Sequence, residues 1–570
     1  MRITDQVNLF NLKIGKKKAK ANKMNEDNAE ETVNERTELL GNKDILTKIG
    51  GFGRYQLKEL LILSPLIVGN GISTLLFVFV LYVPNFRCAI PGWKNDTFQI
   101  HSAVQSQYVE HYIPKDNPHC MVYKWNNSEE SVLEKPFEEV PCRSWVYDES
   151  SVPGTAATEM DLVCSREVFQ SLVNMLFMGG IFVGSLFFGV ISDWKGRRVS
   201  LYLSLVLWIL SSLPLYFVND IKLLAVLRFL IGFSGNGIFM NSFILAIEIV
   251  SSPYRSLVGL ISQILFSVGE IIICGIAFLE RDWHMLCLLS AVIYIPCLIY
   301  WFFVNESPRW LTSQGKFEEA QNLYRKIAKT NKIEFPEDDA NLEAPIISNT
   351  KKGSLIDLFK SRILFWRSLI IFFNWGVINM VYYGLLFSSG DLTSNLYLSS
   401  FLSGLAEIPA YIILLFTLDR LGRKPLYCTS TILSGIACIV SGFAHVWGKD
   451  LPWISTTLAL VGKFAISSSF AIIFNLTTEL FPTVVRNSAL GLSSSVGRVG
   501  SMLAPYIMLS GNHIPSKFGP SLPFIMFGVV SVIAGFLSLL LPETRGQNLP
   551  ETIKDGELMG RTGTNNTKGY

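Results

Sequence analysis

Gly189-Val190-Ile191-Ser192-Asp193-Trp194-Lys195-Gly196-Arg197-Arg198 returns later in the chain, in shorter form, as Asp419-Arg420-Leu421-Gly422-Arg423-Lys424. The two aspartates lie 226 positions apart, and a long apolar stretch flanks each copy on both sides. An acid, a glycine and a basic pair cannot lie in hydrocarbon, so each copy reads as a tight turn at a membrane surface. The same turn in two apolar halves points to a transporter built from two bundles. The second copy lacks the leading glycine, because Leu415 to Leu418 precede Asp419, and it is the weaker of the two. A second pair repeats as well: Glu248 and Arg255 match Glu479 and Arg486 at a constant offset of 231. Each pair reads as the junction between the fourth and fifth spans of its half.

Composition narrows the class. Of 570 residues 49% are hydrophobic and 17% charged, against about 25% charged in soluble proteins. A net charge of +3 gives no basic surface for nucleic acid. Twelve apolar runs approach the roughly 20 residues a helix needs to cross hydrocarbon: 61–83, 168–191, 199–219, 223–249, 256–280, 284–304, 367–389, 395–418, 425–446, 453–478, 488–510 and 521–541. The expected fold is an all-α membrane protein with six-helix bundles at 61–304 and 367–541. A linker at 305–366 joins them, and tails occupy 1–60 and 542–570. The linker reads as helical from Lys316 to Lys329, then irregular and acidic around Pro336-Glu337-Asp338-Asp339. The first 50 residues are polar and lysine-rich, with Lys16, Lys17, Lys18 and Lys20 and no apolar signal region. The span near Leu61 is then the expected membrane-targeting signal.

Basic residues gather in the N-terminal tail, in both turns and in 305–365, whereas the 84–167 loop is acidic, with Glu129, Glu130, Glu138 and Glu139. By the positive-inside bias both termini are cytoplasmic and that loop is extracellular, in a multi-pass plasma-membrane protein. Four of nine cysteines, Cys88, Cys120, Cys142 and Cys164, share this loop with glycosylation sequons at Asn95 and Asn126. That combination points to an oxidising, glycosylating compartment. Four cysteines allow three disulfide pairings, and spacing does not choose among them. Cys274, Cys287, Cys297, Cys428 and Cys438 fall in apolar spans and read as small buried residues. The sequons at Asn305 and Asn565 face the cytosol on this orientation, and the one at Asn475 falls inside a span. In the N-terminal tail Glu35-Arg36-Thr37-Glu38-Leu39-Leu40 fits an acidic dileucine sorting signal, which points to an endosomal or lysosomal pool.

With the duplicated turn, the sequence resembles the major facilitator superfamily. Asn305-Glu306-Ser307-Pro308-Arg309-Trp310-Leu311 after the sixth span and Pro542-Glu543-Thr544 after the twelfth are similar to its sugar-porter and organic-ion branches. The four-cysteine loop contains Trp145-Val146-Tyr147-Asp148 and closes with Thr158-Glu159-Met160-Asp161-Leu162-Val163-Cys164, which resembles the organic cation, organic anion and carnitine transporter family. So do Tyr382-Tyr383-Gly384, Glu407-Ile408-Pro409 and Glu479-Leu480-Phe481-Pro482-Thr483-Val484-Val485-Arg486-Asn487. The resemblance covers about residues 50 to 550. It implies the major facilitator fold, twelve transmembrane helices in two six-helix halves with a large extracellular loop after the first. It also implies transport of small organic ions by alternating access.

Charges that remain in mid-span need a reason, since each costs about 2.5–3.5 kcal/mol on insertion scales. Glu270, Glu407, Lys463 and Arg498 are the candidates. Glu407 and Lys463 equally suit a mutual pair that only fixes packing. Arg498 is the most informative, because the resemblance implies that cation carriers hold an aspartate there and anion and carnitine carriers an arginine. The cation branch also holds a lysine and a tryptophan where this chain has Asn236 and Phe239. A guanidinium in a cavity suits a bidentate carboxylate. Glu270 suits an ammonium group or a proton. Phe239, Phe243, Trp375, Tyr382 and Tyr383 suit cation–π contact with an amine, although aromatic residues on such helices mostly serve packing. At the offset of 231, Arg498 stands opposite Ser267. The expected cargo is thus a zwitterion or amphipathic organic ion.

The conformational set comprises Asp193, Gly196, Arg197, Arg198, Asp419, Gly422, Arg423, Glu248, Arg255, Glu479 and Arg486. By resemblance the Asp193 turn biases the outward-facing state; physically, its acid can hold an arginine of the facing bundle and release it on rocking. Lys195, Arg197 and Arg198 also obey the orientation bias. Gly462-Lys463-Phe464 lacks the glycine spacing of a phosphate loop, the six histidines show no metal-ligand spacing, and no triad is visible. No cofactor and no catalysis are expected. The rival readings are an organic anion carrier, a sugar or phosphate carrier of the same superfamily, or a non-transporting receptor or scaffold. A coupling ion, proton or sodium, is left open.

Overall fold

The computed structural model describes residues 45–93, 96–124, 138–150, 152–336, 360–391, 395–447, 452–482, 485–512, 514, 518–547, 550 and 552–559. Asn95, Asn126, Asn565, the Glu35–Leu40 stretch and most of the acidic part of the linker lie outside the described residues. Helices dominate because a backbone in hydrocarbon must satisfy its own hydrogen bonds. The long helices of the first half are α1 (Arg54–Val80), α2 (Val168–Lys195), α3 (Arg197–Ser212), α4 (Ile221–Glu248), α5 (Arg255–Leu279) and α6 (Trp283–Tyr294). Those of the second are α7 (Arg362–Phe387), α8 (Leu396–Leu421), α9 (Arg423–Trp447), α10 (Pro452–Leu480), α11 (Arg486–Asn512) and α12 (Leu522–Ser538). Among the described residues 11 helical stretches are long and apolar enough to cross a membrane. The long helix outside that set is α11, whose 27 residues carry serines, glycines and Arg498. The first helix begins at Arg54, ahead of the expected 61, so its opening turn lies within the stretch expected as tail.

Two close helix crossings show the repeat in three dimensions. In the first half α1 meets α5 at Gly71 and Gly269, where an added Cβ would fall 2.1 Å from the Phe266 carbonyl oxygen or 2.0 Å from that of Val68. In the second half α7 meets α11 at Gly376 and Gly500, where a Cβ on Gly500 would fall 2.1 Å from the Gly376 oxygen. Gly269 and Gly500 are related by the same offset of 231 that relates Glu248 to Glu479. Between halves, α5 packs on α8 and α2 on α11.

The loop between α1 and α2 is itself folded. Strand β1 (Phe86–Cys88) pairs antiparallel with β4 (Trp145–Tyr147), and β2 (Met121–Tyr123) with β3 (Glu139–Pro141). The open choice of pairing resolves into Cys88–Cys142 and Cys120–Cys164. Arg87 and Asp96 form a buried pair at 2.6 Å beneath the first sheet. The five remaining cysteines are buried, as expected. In the linker, helices Pro308–Ser313 and Phe317–Asn331 dock on the first half. Asn331 donates to Ile49 O at 2.9 Å and accepts from Tyr55 N at 2.9 Å, over a core of Leu46, Ile49, Trp310, Leu323 and Ile327.

The α1–α5 crossing has no room for a side chain. Gly269→Leu is expected to destabilise the protein by about 1–3 kcal/mol or more. A lower melting temperature of the detergent-solubilised protein checks this; an unchanged one would show that the crossing can spread at no cost.

Candidate functional site

The two sequence turns build matching ion clusters. Gly196 and Gly422 take φ of 106° and 96°, which favours glycine, and each reverses the chain between two helices. After the first, Arg197 donates to Asp193 at 2.9 Å and to Glu248 at 3.3 Å. After the second, Arg423 meets Asp419 at 2.9 Å and Glu479 at 3.1 Å. A further acid caps each new helix. Glu306 accepts from the backbone N–H of Arg197 at 3.0 Å and of Arg198 at 3.1 Å. Glu543 accepts from those of Arg423 at 3.1 Å and Lys424 at 3.2 Å. These amides have no partner within their own helix, so a carboxylate there is favourable. Burial raises the pKa of the Glu306 carboxyl, and the donated N–H groups oppose it. Arg198 also donates to the Trp301 carbonyl oxygen and stacks on that ring.

The acid of each turn was expected to reach an arginine of the facing bundle. Instead it binds the arginine four residues on in its own half, where helical spacing brings i and i+4 together. The second turn, weaker as sequence, is equally complete as structure. Arg255 opens α5 and Arg486 opens α11, where its Nε donates to Phe481 O at 3.2 Å.

In the middle of the membrane the expected charges divide into two groups. Glu407 of α8 and Lys463 of α10 make the mutual pair, 2.7 Å apart and buried at 0% and 1% exposure. Ser267 of α5 donates to Glu407 at 2.6 Å, which carries the contact across the seam between halves. Tyr411 adds a hydroxyl donor at 3.3 Å, and the Lys463 ammonium lies 3.6 Å from the Tyr382 ring centroid. Glu270 is sealed in the same region. Arg498 differs. It is half-buried, and its Nη1 donates to the Tyr383 hydroxyl at 3.3 Å. Among the described residues no carboxylate lies within ion-pair distance of it. One turn further along α11, Met502 lies against Gly179 of α2, so Arg498 stands on the face turned to the other half.

The aromatic candidates divide likewise. Phe239 and Phe243 are half-buried and stack at 6.1 Å, with Phe266 edge-on to Phe239. Tyr382 and Trp375 are sealed: Tyr382 stacks on Phe470, and the Trp375 indole N–H donates to Thr477 at 3.0 Å. Asn236 is buried, and its Nδ2 has no partner among the described residues. The sequence reading missed Arg228 of α4, which is fully buried between the rings of Phe77 and Phe177, each 3.6 Å away. The signal was present, a single arginine within the apolar run 223–249. It also missed Glu306 and Glu543 as caps. Asn305, read as a bare sequon, donates to Tyr55 at 3.0 Å and Glu59 at 2.9 Å.

The halves meet at the loop end. Tyr397 of α8 stacks on Phe79 of α1 at 5.8 Å and meets Phe278 of α5 edge-on at 5.7 Å, and Ser171 donates to Pro505 O at 3.2 Å. Two six-helix halves with matching turns, a buried charge at their seam and an accessible cation nearby define a multi-pass membrane transporter of the major facilitator fold. The fold is shared with the xylose transporter XylE from E. coli in a partially occluded inward-open conformation. That likeness has TM-score 0.58 at 17% identity and covers 87% of this chain and 100% of that one. The family model described as sugar (and other) transporter matches residues 101–554. An organic cation transporter protein of Drosophila melanogaster is 35% identical, over 92% of this chain and 95% of its own. Solute carrier family 22 member 13 of Homo sapiens is 32% identical, over 90% of this chain and 93% of its own. The chain belongs to the sugar (and other) transporter family and, within it, to the solute carrier family 22 group. Its function is the transport of small organic solutes across a membrane.

The Glu407–Lys463 pair makes a clear prediction. Lys463→Met removes the cation paired with the buried Glu407 and is expected to cost about 3–5 kcal/mol, whereas Lys463→Met with Glu407→Gln recovers most of that loss. Thermal melting of the three proteins checks it; a double variant no more stable than Lys463→Met would mean that pairing is not what holds the seam.

Proposed function

We propose that the cargo is a zwitterionic or amphipathic organic ion whose carboxylate is held by Arg498. The observation that carries this reading is the half-buried guanidinium with no carboxylate within ion-pair distance among the described residues. A planar, permanently charged fork in a site of low dielectric suits a bidentate carboxylate, and Tyr383 orients it. The ammonium end is assigned to the half-buried rings of Phe239 and Phe243, which offer cation–π contact. Glu407, Lys463, Tyr382 and Trp375 are assigned to the seam and the second-half core rather than to the cargo, because Glu407 and Lys463 pair with one another, the Tyr382 ring faces Lys463 and the Trp375 indole donates to Thr477. The relatives named as organic cation transporters support an organic-ion cargo, and the arginine selects those ions that carry an acid group.

The reading includes placement. The 84–167 loop is assigned to the outside of a plasma-membrane protein, with both tails and the linker in the cytoplasm. Two disulfides in the loop and the basic residues at both turns support that orientation. On it, the packing of Tyr397 on Phe79 and Phe278 closes the outer side. Each turn cluster closes within its own half, so rocking need not break it.

A hydrogen-bonded ion pair contributes about 1.5–3 kcal/mol, so Arg498→Ala is expected to weaken uptake of carboxylated substrates about ten- to hundredfold, with the amount of protein at the cell surface unchanged. Tracer uptake of carnitine-like zwitterions and aromatic carboxylates, set against quaternary amines, checks it. Unchanged uptake of the carboxylated tracers would rule out the assignment.

A further inference from the structure

We propose that Glu270 is the proton-binding site of a proton-linked transport cycle: one proton binds this carboxylate at the seam between the halves and crosses with the cargo. The proposal rests on the reading of Arg498 as the cargo anchor, because it leaves Glu270 free of a cargo role.

Glu270 is 0% exposed, and neither carboxyl oxygen has a hydrogen-bond partner among the described residues. Its surroundings come from several helices. From α8 come Glu407, Tyr411 and Gly404; from α10 Lys463; from α7 Tyr382. From its own helix Ser267 is committed to Glu407, and the Cys274 thiol donates to the Glu270 carbonyl oxygen at 3.1 Å. Helix α1 lays Val68 and Gly71 against Gly269, and α4 offers Phe239 against Phe266. Among the described residues these titratable groups are two carboxyls, one ammonium, two phenols and one thiol; behind Tyr382, Tyr383 adds a third phenol at 5.2 Å and accepts from the Arg498 guanidinium at 3.3 Å. The single ammonium is taken by Glu407 at 2.7 Å. An ionised Glu270 would add a second buried negative charge with neither cation nor donor, an arrangement proteins avoid by neutralising the group. One proton on Glu270 makes the region neutral.

Its place in the fold makes that proton mobile. Glu270 and Ser267 belong to α5 of the first half, Glu407 and Lys463 to the second, and the α5–α8 contact is one of the two most extensive between the halves. Alternating access opens this contact to each side in turn. Once wetted, the carboxyl regains solvation and can release its proton. The step balances: an O–H bond forms on the Glu270 carboxylate as water on one side gives up a proton, and the same bond breaks on the other side, with no electron transferred. A metal cation such as sodium would need several oxygen ligands, and the second carboxylate is held by Lys463 at 2.7 Å. The fold's own repeat adds a comparison: at the offset of 231 Glu270 corresponds to Ser501 of α11, so the second half has no such acid.

The experiment uses the full chain in liposomes, with labelled L-carnitine as the zwitterionic probe and no membrane potential. Coupled one to one, a gradient of one pH unit supports about tenfold accumulation. The ratio of gradient-driven accumulation to exchange at equal pH is read for each protein. It is expected to fall from about tenfold to about onefold in Glu270→Gln and to be partly restored in Glu270→Asp. Replacing sodium by choline is expected to change nothing. Infrared spectroscopy, which needs no cargo, is expected to show a carboxylic acid C=O band at neutral pH that Glu270→Gln removes. A gradient response retained by Glu270→Gln, accumulation that follows sodium, or no such band would overturn the proposal. If L-carnitine is not carried, the same ratio is read with an aromatic carboxylate tracer, and the infrared band tests independently whether Glu270 holds a proton. Should Glu270→Gln not fold, Glu270→Asp serves, since its acid shifts that band.

Discussion

A charge carried into hydrocarbon is costly unless it is matched there, and that constraint shapes the seam between the halves more than any single contact. The pair of Glu407 and Lys463 at 2.7 Å meets it most directly. Both groups belong to the second half, and the first half joins them through the Ser267 hydroxyl, a donor with no net charge. The seam is thereby held by a short hydrogen bond to a charge already balanced within one half. A direct ion pair between halves would expose two unpaired charges each time the halves parted. The observed arrangement lets α5 and α8 separate at the cost of one hydrogen bond, worth about 1.5–3 kcal/mol when one partner is charged.

The same logic governs the turn ends. Arg197 and Arg423 each collect two acids from their own half, and Glu306 and Glu543 cap the helix that follows. Each half is thus closed electrostatically before it meets the other. This favours rigid halves and leaves motion to the contact between them. The described linker helices reinforce the first half, since Trp310 donates to Asp193 O at 2.9 Å and Asn331 ties the linker to residues 49 to 55.

Much of this was legible in the sequence, for physical reasons. Spans and turns are visible because apolar length and interrupted charge are properties of contiguous residues. The partnership of Glu407 with Lys463 was legible as one of two readings, because few charges in the spans leave few choices. What depends on non-local register was not legible. Cys88 finds Cys142 because β1 pairs with β4 at Cys88 and Trp145, and spacing alone carries no strand register. Arg228 escaped notice because its partners, Phe77 and Phe177, come from two other helices. The partner of Asp193 differs from the expected one for the opposite reason. Its arginine stands four residues away, one helical turn on, so the pair is local where the expected one spans the halves.

The repeat is most informative where it fails. Gly269 and Gly500 occupy matching crossings, and Glu248 and Glu479 match in the turn clusters, so both halves keep the same frame. On that frame Ser267 corresponds to Arg498 and Glu270 to Ser501. The first half thus places an acid at the seam where the second has a hydroxyl, and the second places an accessible cation where the first has a hydroxyl. Symmetric helices with exchanged polar groups thus make the two halves chemically unlike at matching positions. On the proposed reading, a cargo that bears an acid is oriented by the half-buried Arg498, whereas a neutral sugar would leave that guanidinium without a counter-charge.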